Sequence, residues 1–150
     1  MNTKFEDIDI LSLNCRGLRS KFKRQRLFSW LSRYDKGIIM LQETHTDKSV
    51  ENDWIREYAG KVYFSHGASN GRGVAILLPQ KSHVSICVMS VERDLNGRIL
   101  LLNVEIEGNP LVIVSIYAPT KDSVELHNSF PGNLLVQERC SASTHVWHPR

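Results

Sequence analysis

Three short segments each end an apolar run with one polar side chain suited to phosphate or metal chemistry. Asn14 ends the run in Leu-Ser-Leu-Asn-Cys-Arg-Gly-Leu (11–18), Glu43 in Ile-Ile-Met-Leu-Gln-Glu-Thr-His (38–45), and Tyr117 in Val-Ile-Val-Ser-Ile-Tyr-Ala-Pro-Thr (112–120). A carboxylate fixed at a strand end suits Mg²⁺, a hard ion that takes one or two carboxylates and completes its octahedron with water and substrate phosphate. An ion so held polarises a scissile phosphate and offsets charge on the leaving oxygen. An amide such as Asn14 can orient a partner or donate to phosphate, and a phenol such as Tyr117 can donate to a phosphoryl oxygen. The pattern points to metal-dependent phosphodiester chemistry. Each residue also has a plainer reading: Glu43 as a surface acid, Asn14 as a turn residue before Gly17, Tyr117 as a packed strand tyrosine. His45, beside Glu43, reads equally as a phosphate contact or a surface histidine.

The elements around these residues explain how they could meet. Alternating residues over 8–13 predict a strand. Ser20 can cap a helix running to about residue 34, with Leu27, Trp30, Leu31 and Tyr34 forming one apolar stripe. The continuous apolar run 38–41 reads as a strand buried on both faces. Strand, helix, strand is a crossover, and it brings Asn14 and Glu43 to one sheet edge, where α/β proteins bind ligands. A second helix is predicted over 50–58, with Asp47 capping or preceding it. Runs at 62–65, 73–78, 83–90, 98–106 and 111–117, broken by Gly-, Asn- and Pro-rich turns, read as a meander of hairpins extending the same sheet. Asp94-Leu-Asn-Gly is one such turn.

The composition, 41% hydrophobic and 23% charged in 150 residues, is that of one ordinary globular domain. No apolar run approaches the ~20 residues of a membrane span, and the acidic N-terminus argues against export. Three widely spaced cysteines read as reduced thiols, so the expected setting is intracellular, nuclear or cytoplasmic. The net charge of +3 is modest, but Arg16, Arg19, Lys21, Lys23, Arg24 and Arg26 form a run without a single acid. Beside Asn14, that run suits a polyanion such as DNA as well as it suits a solvated helix face.

The segments 11–18, 23–31, 41–45, 73–78 and 116–120, in this order, resemble the endonuclease/exonuclease/phosphatase family, in particular the apurinic/apyrimidinic-like endonuclease domain of LINE-type retrotransposons. The likeness spans about residues 8–121. It implies an α/β four-layer sandwich and Mg²⁺, with Mn²⁺ as an alternative, for hydrolysis of DNA phosphodiesters. It further implies Glu43 as metal ligand, Asn14 in the active-site hydrogen-bond network, and Tyr117 as the phosphate-contacting tyrosine. Read from charge and position alone, Arg16, Arg19, Lys21, Lys23, Arg24 and His45 are the candidate DNA or phosphate contacts. The family's later Gly-Asp-x-Asn and Ser-Asp-His segments, which orient the attacking water and stabilise the transition state, are not found in these residues.

The expectation is therefore a partial sandwich: one mixed, largely antiparallel sheet under two helices, with the second half missing. Residues 1–121 would form the family portion and 122–150 a non-homologous, irregular tail. Cys140, His145 and His148 in that tail fit no usual zinc spacing. Hydrolysis by these residues alone is expected to be absent or very weak. The alternatives are a non-catalytic DNA-binding fragment and a non-functional retrotransposon remnant. No membrane or obligate protein partner is expected, but an uncovered sheet face would favour self-association.

Overall fold

Leu11 and Leu13 point to one side of the first strand, β1 (Ile10–Asn14), and Ser12 and Asn14 to the other. That alternation sets the layering of the whole molecule. The computed structural model describes residues 8–34, 37–67, 71–79 and 84–118. The expected tail, 122–150, with Cys140, His145 and His148, lies outside them. A crossover through helix α1 (Lys21–Leu31) returns the chain to β2 (Ile38–Gln42), parallel to β1 with Asn14 opposite Gln42. A 3₁₀ turn at Lys48–Val50, capped by Asp47, leads into α2 (Glu51–Glu57). The hairpin β3 (Gly60–Ser65) and β4 (Val74–Pro79) then completes a four-stranded sheet of order β1-β2-β4-β3.

The meander β5 (Ile86–Arg93), β6 (Ile99–Ile106) and β7 (Asn109–Ile116) is antiparallel, as expected, but it forms a sheet of its own. It packs on the first sheet instead of extending it. The reason is the two-sided apolarity of β2 and β4. Ile39, Leu41, Ala75 and Leu77 face the helices with Leu27, Phe28, Leu31 and Trp54. Ile38, Val74, Ile76 and Leu78 face the other way, against Leu100, Leu102, Val104, Ile106 and Ile113. Each fully buried Leu or Ile contributes roughly 1.5–3 kcal/mol, against about 1 kcal/mol for a typical hydrogen bond, so these two faces hold the layers together. The outcome is helices, sheet, sheet: a partial α/β sandwich. The inner face, expected to lie open to self-association, is covered by β5–β7.

Helix α1 is shorter than its periodicity suggested. Ser20 accepts from the Lys23 amide as its cap, and the helix stops at Ser32, whose hydroxyl bonds back to the Ser29 carbonyl. Leu27, Phe28 and Leu31 are its buried stripe, while Trp30 and Tyr34 meet edge-to-face at the core's margin. Phe28, Trp54 and Phe64 meet edge-to-face, with centroids 5.3 and 5.0 Å apart, and so seat α2 on the sheet. Among the described residues no helix is long and apolar enough to cross a membrane.

Candidate active site

Beyond the paired ends of β1 and β2, two loops continue the pairing without being strands. The amides of Cys15, Gly17 and Leu18 donate to the carbonyls of Gln42, Glu43 and Thr44 at 2.8, 2.7 and 2.8 Å. From the other side, Thr44 and His45 donate to Gly73 and Arg72. Held from both sides, the loops keep four residues in the left-handed region: Arg16 (φ +48°), Gly17 (+91°), Glu43 (+53°) and His45 (+53°). For a non-glycine residue that conformation costs of order 1–3 kcal/mol and tends to gather at functional sites. Gly17 is needed for a second reason, since a Cβ there would sit 3.0 Å from His45 Nδ1.

This backbone aims Glu43 at Asn14. Asn14 Nδ2 donates to Glu43 Oε1 at 2.9 Å, while Asn14 Oδ1 accepts from the Arg16 amide at 3.1 Å, which settles the orientation of the side-chain amide. Glu43 Oε2 lies 3.9 Å from His45 Nε2. Tyr117, at the end of β7, brings its hydroxyl to the same carboxylate. Its pKa is raised by burial first, then by the Glu43 charge and hydrogen bond, with Arg72 and Arg98 opposing. A cleft of about 570 Å³ opens between the sheets here, lined among others by Ser12, Asn14, Gln42, Glu43, Ser115 and Tyr117. Cys15 takes no part: burial pushes its thiol up to about 12, leaving it un-ionised and inert at neutral pH.

The donor set suits Mg²⁺ better than a softer ion. Among the described residues no three His, Cys, Asp or Glu side chains converge, as a zinc site requires. One carboxylate, held by Asn14 and facing a polar cleft, is the arrangement an ion uses when it keeps most of its waters and takes phosphate oxygens.

Asn14, Glu43, His45 and Tyr117 are thus brought together. Arg16 is exposed beside them, Lys21 is exposed at the first position of α1, and exposed Arg19 spends its Nε on the His45 carbonyl at 2.7 Å. Lys23 is half-buried and braces the loop, its Nζ donating to the Cys15 and Arg16 carbonyls at 2.8 and 3.2 Å.

Arg24 is a correction. It was expected among the phosphate contacts, but only 2% of it is exposed. Its guanidinium bonds both Glu57 carboxylate oxygens, at 2.8 and 3.1 Å, and the Leu18 and Arg19 carbonyls. It clamps α1 to α2 inside the protein.

Two cations were missed by sequence reasoning, Arg72 and Arg98, whose charges act on Tyr117. Arg72 sits in a stretch read only as a turn, Asn-Gly-Arg-Gly, and Arg98 opens a run read only as a strand. A buried relay was missed as well. Thr44 and Thr46 share a hydroxyl bond of 3.0 Å, and His66 links the Thr46 carbonyl (3.1 Å) to Glu51 (2.7 Å). It backs the strained Glu43–His45 segment.

The model of the Endonuclease/Exonuclease/phosphatase family matches residues 11–145, a range that runs past the boundary near 121 suggested by the change in sequence texture. The chain is 32% identical over 113 residues to the "Transposon TX1 uncharacterized 149 kDa protein" of Xenopus laevis, covering 75% of this chain and 8% of that protein. It is 28% identical over 122 residues to the exodeoxyribonuclease III of Haemophilus influenzae, covering 81% of this chain and 45% of that enzyme. The chain thus spans less than half the length of either relative. The match to the family model covers most of the chain, and its ends of β1, β2 and β7 carry the polar residues gathered around the cleft: the chain belongs to the Endonuclease/Exonuclease/phosphatase family.

Proposed function

We propose that the cleft is the phosphodiester site of a LINE-type DNA endonuclease that depends on Mg²⁺, with Mn²⁺ as an alternative. The observation that carries this reading is the Asn14–Glu43 bond at the mouth of a polar cleft, with Tyr117 on the same carboxylate. Glu43 would be the metal ligand. A divalent ion bound there supplies positive charge for the scissile phosphate and the leaving oxygen.

The protein's own groups do the rest. Asn14 orients the carboxylate through its 2.9 Å bond, and such outer partners commonly change metal affinity 10- to 100-fold. Tyr117 stays protonated at neutral pH, its pKa being raised, so its hydroxyl remains a donor for a phosphoryl oxygen. Arg16, Arg19 and Lys21 line the approach and favour a polyanion. Lys23 shapes the loop from which Arg16 projects, and His45 stands at the edge of the carboxylate.

The 150 residues contain neither a Gly-Asp-x-Asn nor a Ser-Asp-His segment. Groups that act as a unit lose nearly all their rate when several are absent, so on their own these residues are inactive or very weak while still binding DNA.

The test is nicking of supercoiled plasmid in Mg²⁺, with EDTA and Glu43→Ala as controls, alongside Mn²⁺ titration followed by electron paramagnetic resonance. The expected result is little or no nicking, with Mn²⁺ binding that Glu43→Ala weakens at least tenfold. Nicking abolished by both controls overturns the inactivity. Mn²⁺ binding unchanged in Glu43→Ala overturns the metal site.

A further inference from the structure

Leu95 is 95% exposed, the most exposed large apolar residue described, at the tip of the turn between β5 and β6. A lone exposed leucine usually means nothing. What distinguishes this one is that everything around it is tied down. Asp94 Oδ1 accepts from the Arg98 and Ile99 amides and from the Ser65 hydroxyl, each at 2.9 Å, and Asp94 Oδ2 accepts from the Asn96 amide at 3.3 Å. Gly97 (φ +67°) lies so close to the Gly67 backbone that any Cβ would collide with it, and its carbonyl accepts from the Gly73 amide at 3.0 Å. The turn is fixed at its base, its polar groups facing inward and Leu95 facing out.

The turn also stands at the site. Gly73 bonds Thr44, next to Glu43, and the Tyr117 amide donates to the Arg98 carbonyl at 2.8 Å. Three residues of chain reach at most about 11 Å, so Leu95 lies within roughly 15 Å of Tyr117. At ~3.4 Å per base, that is about four base steps from a phosphodiester bound at Glu43 and Tyr117. Exposed Arg93 stands two residues from Leu95, and Arg16 and Arg19 are tied to the site through Asn14 Oδ1 and the His45 carbonyl.

We propose that Leu95 is a wedge that enters between base pairs of duplex DNA about four steps or fewer from the phosphodiester held in the cleft. This rests on the DNA reading above and deepens it, because a wedge adds a preference for sequence. Apolar side chains inserted at a base step unstack it and kink the duplex, and pyrimidine–purine steps yield most easily. Since the turn is fixed in advance, insertion orders no loop, so little of the contact is lost to conformational entropy. The wedge selects duplexes with a TA or CA step at this distance over uniformly stiff ones.

The experiment uses the 150-residue chain and a short nicked duplex, with 2-aminopurine placed in turn at the first five base pairs on each side of the nick. Comparison is among wild type, Leu95→Ser and Leu95→Phe; at 95% exposure neither change burdens folding. Expected is a rise in 2-aminopurine fluorescence at one step, kept in Leu95→Phe and lost in Leu95→Ser. Affinity of Leu95→Ser for a TA-containing duplex falls roughly tenfold, with the salt dependence unchanged because no charge has been removed. If wild type and Leu95→Ser bind alike and give the same fluorescence, the wedge is overturned while the DNA reading stands. If wild type fails to bind duplex even at low salt, both are overturned.

Discussion

Asn14 and Arg24 have the same kind of task, holding a carboxylate in place, and they differ in what surrounds them. Asn14 holds Glu43 with one 2.9 Å bond, and the carboxylate it holds lines the cleft, where Tyr117 and His45 also approach it. Arg24 holds Glu57 with two bonds, and the rest of its buried guanidinium is taken up by the Leu18 and Arg19 carbonyls and by Asp53 at 3.9 Å. A basic residue in a run of basic residues can therefore be either a DNA contact or a structural clamp, and substitution separates the two. Arg24→Ala leaves Glu57 buried without its partner and is expected to cost about 3–5 kcal/mol, read by urea denaturation. Arg16→Ala or Lys21→Ala is expected to leave stability within about 0.5 kcal/mol, as for most surface changes. Each should instead lower the slope of log affinity against log salt by about 1. A full-strength fold in Arg24→Ala would contradict the clamp. The sequence did carry a sign of this: residue 24 lies three and four positions before Leu27 and Phe28, so it falls on the buried stripe.

At the level of elements, the crossover β1–α1–β2 was legible because apolar spacing determines both the helix and the buried strand. Meeting at one edge is then a consequence of parallel pairing, which puts Asn14 opposite Gln42 and Glu43 one residue beyond. The strands of the meander were legible too, from alternation and turn residues. Which sheet they join was not, because a period of 2 says that a face is buried but not what buries it. The loops that aim Glu43 were also hidden, since Arg16, Glu43 and His45 hold left-handed backbone without being glycine. The turn Asp94–Gly97 shows the opposite case. Its chemistry was plain in the sequence, but its role in joining the two sheets rests on the contact between Gly97 and Gly67. Gly97→Ala combines a left-handed alanine with a backbone collision and is expected to cost roughly 2–4 kcal/mol. Chemical denaturation should show a lower midpoint with an unchanged slope. A loss below about 1 kcal/mol would mean that the turn can lift off Gly67 without harm.

On the scale of the whole molecule, the described residues close their interior with three layers, and that closure buries ionisable groups as well as leucines. Cys15 moves from 9.0 to about 12 and Tyr58 from 10.0 to about 12, both chiefly through burial, and Tyr63 and Tyr117 move the same way. All four groups bind their proton more tightly in the folded chain than in the unfolded one. Their stabilising contribution is complete below the unfolded pKa and is lost as pH rises through the folded one, so the fold is expected to weaken on the alkaline side, from about pH 9 to pH 12. A fully buried group removes about 1.4 kcal/mol per pH unit within its window. The two main contributors begin to act at different pH, which separates them. Between pH 9 and 10 the fall belongs mainly to Cys15, so Cys15→Ala should flatten that part of a Tm–pH profile and leave the steeper fall above pH 10. Tyr58→Phe should keep the fall between pH 9 and 10 and make the fall above pH 10 shallower, since Cys15 still titrates there. A wild-type profile that stays flat to pH 11 would mean that water reaches these side chains and that the layers are looser than their burial indicates. An alkaline fall divided between the two variants in this order would show that the described layers hold their core shut.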